Sequence, residues 1–228
     1  MWFDGSGKGF AMDDVDALTE AAEAEWLRAW DAGPIRTRWE RIPLQGGDRA
    51  PDADLRDHSG VVRRLSDFWA NGPALLMFWR HAGCSCGVDR AARLRNEYAG
   101  YVETGGSVVV IGMWEPARAD RYRALHELPC PVLADPERSL YEAFDLLEGT
   151  PAQVLFDAPD EFLRREPQAG RMLATERHGS DRASVDSPWQ MPGEFVVGPD
   201  GTVRLAYRYQ YCEDYPDPRV LIAALRFG

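Results

Sequence analysis

Two cysteines separated by one serine are the residues of this chain whose types and spacing best suit chemistry. Cys84 and Cys86 lie in the segment HAGCSCG, residues 81–87, and the chain contains four cysteines in all. A thiolate is a nucleophile and a metal ligand, whereas a buried thiol behaves as a small apolar group. The pair is therefore a redox centre, part of a metal site, or two small core residues.

The surroundings of the pair favour an activated thiol. An apolar run, PALLMFW, precedes it, and DRAARLRNEYAGYV (89–102) follows with a helical pattern. Cys84 is thus expected at the turn from a buried strand into a helix, where unpaired N–H groups and the helix dipole favour a thiolate. Arg80 and Arg90 flank this turn and add positive charge, whereas Asp89 opposes it.

The one-residue gap sets a geometric condition on a disulfide between the two cysteines. In a regular helix, residues i and i+2 point to different sides. A Cys84–Cys86 bond therefore needs a turn that is not helical or that unwinds. Gly83 and Gly87 lie on either side of the pair and lower the cost of such a turn.

The other two thiols are Cys130 and Cys212. Cys130 begins an apolar segment, CPVLAD, and is predicted to be a buried core residue. Cys212 follows the last predicted strand, where it is either an exposed spare thiol or a partner that reaches the same sheet edge. Cys212 is therefore a second candidate to react with Cys84.

Strands and helices alternate around the cysteines. The spacing predicts strands over 75–79, 107–113 and 130–135, and helices over 89–102, 117–128 and 137–146. Residues 147–190 interrupt this order, with VLF (154–156) assigned to a strand, DEFLRREPQ (160–168) to a helix, and the later part to an exposed loop. Two strands around Pro199-Asp200-Gly201 form a hairpin, and a helix over 217–227 closes the chain.

This order predicts an α/β thioredoxin-like fold, in which helices flank a central mixed sheet. It carries an N-terminal helical extension and an insertion before the closing β-hairpin. Residues 13–31 form an acidic amphipathic helix that Gly33-Pro34 ends. We divide the chain into an N-terminal helical arm, 1–45, and a thioredoxin-like domain, 46–228. The arm tryptophans pack on their own domain or cover another subunit (Trp26, Trp30 and Trp39).

The composition excludes several partners. The net charge of −11 argues against nucleic acid and anionic membranes. No apolar stretch approaches the ~20 residues of a membrane span, and the N-terminus lacks the pattern of a signal peptide. The expected compartment is the cytoplasm, where a close cysteine pair is more often catalytic or metal-binding than structural. No cofactor is expected.

Four segments, taken together in their order, resemble the peroxiredoxin-like AhpC/TSA group of the thioredoxin superfamily. GDRAPDADL is similar to the GxxAPxF segment of that group, and RLSDFWANGPALLMFWRHAGCSCGVDRAARL to its strand–cysteine–helix core. PVLADPERSLYEAFDL and QMPGEFVVGPDGTVR are similar to its later segments. The resemblance covers residues 46–228 and is weaker over 150–188.

The resemblance implies a thiol peroxidase and assigns roles to individual residues. Cys84 falls on the peroxidatic cysteine, Arg204 on the arginine that helps to hold the peroxide, and Pro192 on a cis-proline that shapes the wall of the site. Arg80 and Gly83 complete the expected substrate pocket.

The implied reaction turns Cys84 into a sulfenic acid, with which a second thiol condenses. Cys86 is the first candidate for that thiol, and Cys212 or an external small thiol the second. The expected partners are a peroxide and a thiol reductant, either a thioredoxin-like protein or a small thiol. A homodimer is left open.

The chain departs from the group at three positions. Met77 stands where the PxxxTxxC motif has proline, and His81 where it has the threonine that orients the peroxide. His81 is a candidate hydrogen-bond donor or base in its place. Gly87 stands where a CxxC branch has its second cysteine.

Two alternatives to a peroxidase stay open at this point. His81, Cys84 and Cys86 form HxxCxC, whose soft ligands suit Zn²⁺ or Cu(I), although a fourth ligand is not evident and the other histidines are scattered (His58, His126 and His178). A non-catalytic thioredoxin-fold module that acts in binding or assembly is the other alternative.

Overall fold

A seven-stranded mixed sheet forms the centre of the molecule in the computed structural model, which describes residues 12–155 and 186–227. The strands are β1 Asp54–Asp57, β2 Val62–Arg64, β3 Ala74–Phe78, β4 Ser107–Gly112, β5 Val132–Ala134, β6 Gly193–Val197 and β7 Val203–Arg208. The helices in the described ranges are α1 Met12–Ala32, α2 Ser85–Val102, α3 Pro116–Leu125, α4 Ser139–Ala143, α5 Pro151–Leu155 and α6 Pro218–Phe227, with a 3₁₀ turn at Leu65–Phe68.

The strands lie in the order β2-β1-β5-β4-β3-β6-β7. The central strand β3 runs parallel to β4 and antiparallel to β6, and all five of its residues are buried. Continuous apolar strands of this kind are expected where helices cover both faces of a sheet. Phe78 pairs with Gly193, and Gly193 in turn pairs with Arg208. The carboxyl end of β3 therefore lies at the same edge of the sheet as the start of β6 and the end of β7.

Alternating side chains of β3 divide the core into two parts. Leu75, Met77 and Trp79 face one cluster, which includes residues of α2 and α6. Leu76 and Phe78 face the other, which includes residues of α4. This period of two is the pattern that a strand buried on both faces requires.

The structure confirms the predicted α/β thioredoxin-like fold and most of its elements. The hairpin of β1 and β2 was not predicted, because its strands are short and β2 is exposed. Helix α2 begins at Ser85 rather than at residue 89. The predicted helix over 160–168 and most of the predicted loop lie outside the described residues.

The assignment of Val154 and Leu155 to a strand is wrong, since both lie in α5. The reason is a helix start signal just upstream. Pro151 occupies the first helical position, which its fixed φ favours. The carbonyl of Thr150 accepts a hydrogen bond from the amide of Val154 at 3.1 Å.

The insertion before β6 is closed at its base. Glu148 and Gln190 form an isolated antiparallel bridge. The Gly149 amide donates to the Trp189 carbonyl at 2.7 Å, and the Met191 amide donates to the Leu147 carbonyl at 3.1 Å. The two ends of the insertion therefore meet at one place, directly before β6.

The N-terminal helix packs on its own chain. Trp26 stacks on Trp30 with 5.4 Å between ring centroids, and Trp30 stacks on Trp189 at 4.3 Å. The side chain of Trp39 is 43% exposed, and its indole N–H donates to the Asp145 carbonyl. The boundary at residue 45 stays a prediction. No helix in the described ranges is long and apolar enough to cross a membrane.

Candidate thiol site

Cys84 is the N-cap residue of α2. Its backbone is extended, with φ −71° and ψ 131°, and its amide donates to the His81 carbonyl at 3.1 Å. That hydrogen bond closes a turn through Gly83. The helix starts only at Ser85, so the Cys84 side chain lies where the unpaired N–H groups of the first turn are concentrated.

Cys84 and Cys86 are joined as a disulfide, with 5.3 Å between their Cα atoms. That distance lies within the ordinary range for disulfides. A disulfide between residues i and i+2 needs a turn that is not helical, and this condition is met because the backbone of Cys84 is extended. Helix α2 therefore stays wound from Ser85 onward. Neither Gly83 nor Gly87 has a positive φ, so the turn does not use the left-handed freedom of glycine.

Gly87 explains why the second cysteine is not one position later. A Cβ built at Gly87 would lie 2.7 Å from the hydroxyl oxygen of Tyr122. Tyr122 is buried among other aromatic rings, including Trp114 at 4.5 Å between centroids. A cysteine at position 87 would therefore collide with Tyr122, whereas position 86 has room for a thiol.

A small buried cluster surrounds the disulfide, and we call it the thiol cluster. Its buried members are Cys84, Cys86, Val154, Trp189, Met191, Tyr209 and Cys212. Cys84 is 8% exposed and Cys86 is 3% exposed. The insertion base and the end of β7 thus meet over the N-terminus of α2.

Cys212 belongs to this cluster and is 1% exposed, with its thiol donating to the Gln153 carbonyl at 3.3 Å. The expectation of an exposed spare thiol is wrong, because the segment after β7 folds back onto α5. Cys212 reaches the same end of the sheet as Cys84, as the alternative expected, and its role as a partner of Cys84 stays a prediction. Cys130 is a buried core residue as predicted, and burial raises the pKa of its thiol to about 12.

Arg80 follows β3 directly and is 3% exposed. Its guanidinium donates from Nη2 to the Pro188 carbonyl at 2.7 Å, and Nη1 lies 3.7 Å from the sulfur of Met191. Its Nε has no hydrogen-bond partner among the residues that the structure describes. Arg80 therefore brings a buried positive charge to the wall of the thiol cluster, with one N–H to spare.

His81 is buried and meets the ring of Trp26 edge to face, with 6.1 Å between centroids. Its Nδ1 has no hydrogen-bond partner within the described ranges. Burial lowers the pKa of His81 well below its usual value, and the charges of Arg80 and Arg118 act in the same direction. The imidazole is therefore neutral at pH 7.

The structure places Arg204 away from the cysteines, so its assignment to peroxide binding stays a prediction without support from its position. Phe78, the last residue of β3 before the cysteine turn, pairs with Gly193, and Gly193 pairs with Arg208 at the end of β7. Arg204 lies near the start of β7, at the opposite end of the strands from the cysteines. Its Nη1 donates to the Leu225 carbonyl at 3.0 Å, in the last turn of α6. Arg204 satisfies a helix C-terminus there, as arginine side chains often do.

The expectation of a cis peptide bond before Pro192 is wrong, since every peptide bond in the described ranges is trans. The trans form is favoured by about 0.5–1 kcal/mol unless a turn demands the other isomer. Here Pro192 continues an extended segment into β6, and its carbonyl accepts from the Tyr209 amide at 3.3 Å. Pro192 is buried beside Met191 of the thiol cluster.

A buried ionic network that was not predicted from the sequence lies beneath the turn. Arg90 donates from Nε to Glu194 at 2.7 Å and from Nη1 to Glu97 at 2.8 Å. The hydroxyl of Tyr209 donates to the same Glu194 oxygen at 2.6 Å. Arg90 is thus committed to carboxylates rather than to the thiolate. A signal was present, because Glu194 in the apolar strand GEFVV requires a buried partner.

Tyr215 also contacts the cysteine turn and was not singled out. Its hydroxyl donates to the Cys86 carbonyl at 2.9 Å, and the guanidinium of Arg93 lies 4.8 Å from the ring centroid. No pattern in the sequence indicates this contact, because it joins residues far apart in the chain.

A metal site at HxxCxC finds no support in the described part of the chain. The described residues include no group of three or more histidine, cysteine, aspartate or glutamate side chains placed to hold a metal ion. Both sulfurs of the motif are bonded to each other. His178 lies outside the described residues.

A thioredoxin-like α/β sheet with a cysteine at the N-terminus of the helix after its central strand is the arrangement of the thioredoxin superfamily. The sequence profile of the AhpC/TSA family matches residues 46–206. The chain belongs to that family.

Two curated relatives carry names that fit this class. The chain is 28% identical over 180 residues to the chloroplastic thioredoxin-like protein AAED1 of Arabidopsis thaliana, a match that covers 76% of this chain and 69% of the relative. It is 25% identical over 105 residues to peroxiredoxin Bcp of Bacillus subtilis, covering 46% of this chain and 66% of the relative.

Solved structures of the same fold include peroxidoxin BcpB of Mycobacterium tuberculosis, with a TM-score of 0.58 and 18% identity over 80% of this chain and 97% of that one. The bacterioferritin comigratory protein of Xanthomonas campestris has a TM-score of 0.55 and 13% identity, over 80% and 96% of the two chains. At these identities the likeness concerns the fold alone.

Proposed function

We propose that the protein is a thiol oxidoreductase that reduces hydrogen peroxide or organic hydroperoxides through Cys84. The observation that carries the proposal is the disulfide between Cys84, at the N-cap of α2, and Cys86. Membership of the AhpC/TSA family, which includes thiol peroxidases, supports the same reaction. The peroxiredoxin name of the relative from Bacillus subtilis is consistent with it.

In the first step, the Cys84 thiolate attacks one oxygen of the peroxide. The O–O bond breaks, the second oxygen leaves as water or an alcohol after taking a proton, and Cys84 becomes a sulfenic acid. The N-terminus of α2 stabilises the thiolate before the attack.

Arg80 and His81 are the residues we propose to act on the peroxide. Each has a ring or guanidinium nitrogen without a hydrogen-bond partner among the described residues. Arg80 contacts Met191 of the thiol cluster, and the His81 carbonyl accepts the hydrogen bond from the Cys84 amide. Neutral His81 either accepts the peroxide proton or donates a hydrogen bond, according to its tautomer. Arg80 supplies a fixed N–H for the developing negative charge on the leaving oxygen. In this proposal His81 takes the role of the threonine of the PxxxTxxC motif, and Arg80 takes the role of the family arginine.

In the second step, the Cys86 thiol condenses with the sulfenic acid. The new S–S bond forms, the oxygen leaves as water, and the product is the disulfide that the structure contains. Cys86 is the resolving thiol in this proposal. Cys212, in the same cluster, is the second candidate because thiol–disulfide exchange can pass the bond to it.

In the third step, two thiols of an external reductant return the enzyme to its dithiol. One attacks a sulfur of the disulfide and the second resolves the mixed disulfide, so that the reductant leaves oxidised. We propose a small thiol or a thioredoxin-like protein as the reductant, in the cytoplasm. The negative charge of the chain gives no reason to add nucleic acid or membrane as a partner.

The test combines thiol counting with trapping of the sulfenic acid. The reduced protein receives one equivalent of hydrogen peroxide, and the cysteines are mapped by mass spectrometry. Wild type is expected to lose the Cys84 and Cys86 thiols together, and Cys86→Ser to yield a dimedone adduct at Cys84. The Cys130→Ala variant is the matched control, since that thiol lies in another core and leaves the reaction unchanged.

An unmodified Cys84 under excess peroxide contradicts the proposal. Peroxide consumption that survives Cys84→Ser contradicts it too and favours a non-catalytic binding module with adventitious thiol chemistry.

A further inference from the structure

Helix α1 lies over the thiol cluster and contacts it through tryptophan rings. Trp30 packs against the cluster and stacks on Trp189 with an interplanar angle of 13°. Trp26 stacks on Trp30 at 9°, and its ring meets His81. Three parallel rings therefore run from the helix into the wall of the site.

Helix α1 is held to the domain toward both of its ends. The indole N–H of Trp189 donates to the carbonyl of Ala29 at 2.8 Å, which ties the cluster to the last turns of α1. Beyond the helix, the amide of Ile35 donates to Glu148 at the insertion base at 2.7 Å. Toward the other end of the helix, Val15 is fully buried. The helix is thus docked on the domain rather than free in solvent.

A cavity of about 480 Å³ lies under the same helix, lined in part by Leu18, Ala22, Met113 and Arg118. This volume falls in the range of small-molecule sites. Trp189 lines the cavity and also belongs to the thiol cluster. Trp189 is therefore shared by the cavity and the thiol cluster, and Trp30 stacks on its ring.

This cover restricts what can reach the sulfurs. Cys84 and Cys86 are 8% and 3% exposed. Thiol–disulfide exchange requires the attacking thiolate to reach a sulfur directly, so its rate depends on access. A small thiol needs only a narrow opening, whereas a cysteine on a protein surface brings a wide contact area with it.

We infer that Trp26, Trp30 and Trp189 form a size filter that determines which reactants reach Cys84. Small hydroperoxides and small thiols pass the filter with α1 in place. A protein reductant reacts only when α1 is displaced, so its rate follows the fraction of molecules in which the helix has opened. The inference rests on the proposed function for the identity of the reactants and concerns the specificity of the same site.

The test compares two reductants on the oxidised protein. The second-order rate constants for reduction of the Cys84–Cys86 disulfide are measured with dithiothreitol and with thioredoxin, in wild type and in Trp30→Ala. Loss of one aromatic pair changes the equilibrium between docked and displaced α1 by up to about tenfold. The ratio of the thioredoxin rate to the dithiothreitol rate should therefore rise by about tenfold in Trp30→Ala. Leu27→Ala is the matched control, since Leu27 lies on the same helix and is 58% exposed.

An unchanged ratio in Trp30→Ala contradicts the filter. So does an equal increase with both reductants, which indicates general loosening of the site. Circular dichroism establishes whether the variant folds.

If Trp30→Ala does not fold, a measurement on the wild-type protein still tests the filter. Alkylation of Cys84 in the reduced protein is followed with N-ethylmaleimide and with a polyethylene-glycol maleimide, and the ratio of the two rates is compared with that of glutathione. The filter predicts that the ratio of the N-ethylmaleimide rate to the polyethylene-glycol maleimide rate is larger for Cys84 than for glutathione. Equal ratios would overturn it. None of these rates involves peroxide, so a failure of the proposed peroxidase reaction would be seen separately.

Discussion

The hydroxyl of Tyr215 donates a hydrogen bond to the backbone carbonyl of Cys86, with 2.9 Å between the two oxygens. Tyr215 lies between β7 and α6, far from Cys86 in the chain, and the Arg93 guanidinium packs over its ring. The segment that follows the sheet thus holds the first turn of α2 in the conformation that the disulfide occupies.

Replacement of Tyr215 by phenylalanine should make the disulfide easier to reduce. The variant loses a hydrogen bond that stabilises the oxidised turn, and a bond of this kind contributes about 0.5–1.5 kcal/mol. For a two-electron couple this raises the reduction potential by about 10–30 mV. Equilibration with dithiothreitol redox buffers measures the shift. Tyr98→Phe, in α2, should leave the potential unchanged. An unchanged potential in Tyr215→Phe would show that the hydrogen bond is equally strong in both redox states.

Two glycines of α2 should respond in opposite ways to alanine. Gly87→Ala places a Cβ 2.7 Å from the Tyr122 hydroxyl and should destabilise the protein by about 1–3 kcal/mol. At Gly100 the nearest atom is the Ile222 Cδ1 at 3.5 Å, an ordinary contact, so Gly100→Ala should gain about 0.5–1 kcal/mol from helix propensity. Urea denaturation gives both values. Addition of Tyr122→Phe should restore part of the loss at Gly87, and equal stabilities for the two single variants would refute the steric explanation.

Loss of the buried carboxylate of Glu194 should destabilise the fold strongly. Glu194→Leu leaves the buried Arg90 without its closest partner, which should cost about 3–5 kcal/mol in the free energy of unfolding. The double variant Arg90→Met with Glu194→Leu removes both charges and should recover most of that loss. Chemical denaturation of the three proteins tests this. A double variant no more stable than Glu194→Leu would show that packing, rather than an unpaired charge, causes the effect.

His81 should make the protein less stable in mild acid. Its folded pKa is depressed by burial, so below pH 6.5 the unfolded state binds a proton that the folded state does not. The contribution is absent above pH 6.5 and grows as the pH falls, by at most about 1.4 kcal/mol per pH unit. The stability difference between wild type and His81→Asn, measured from pH 7 to pH 5, isolates this group from the others that titrate. A difference that does not change with pH would place the imidazole in contact with water.

Arg204→Ala should lower stability without slowing the oxidation of Cys84. The variant loses the hydrogen bond that satisfies the Leu225 carbonyl, worth about 0.5–1.5 kcal/mol. The rate constant with hydrogen peroxide should stay within the error of the wild-type value, because Arg204 lies at the opposite edge of the sheet from the cysteines. Stopped-flow tryptophan fluorescence measures that rate. A large loss of rate would return Arg204 to the reaction.

The order of strands and helices could be predicted because long apolar runs and helical periodicity are local signals. The position of Cys84 followed from the same signals, since a cysteine between a buried strand and a helix must lie at the sheet edge. The β1–β2 hairpin could not be predicted, because its short strands are partly exposed and its charged residues do not alternate cleanly.

The surroundings of the site were harder to predict, because they depend on register and on distant contacts. Similarity placed Arg204 near the hairpin turn but could not show which edge of the sheet that turn occupies. Each residue of a strand adds about 3.3 Å, so the four steps from Arg204 to Arg208 cover most of the length of β7. The contact of Tyr215 with Cys86 and the burial of Cys212 arise from how the chain folds back after β7, which no short pattern encodes.

The bridge between Glu148 and Gln190 joins the two ends of the insertion beside the thiol cluster. No strand of the described sheet lies between these two residues, so a change of length there leaves the pairing of the described strands as it is. Connecting segments are where related proteins diverge most freely. The bridge therefore offers a route, in evolution or in the laboratory, to a new substrate preference while the sheet and the cysteine turn are left as they are.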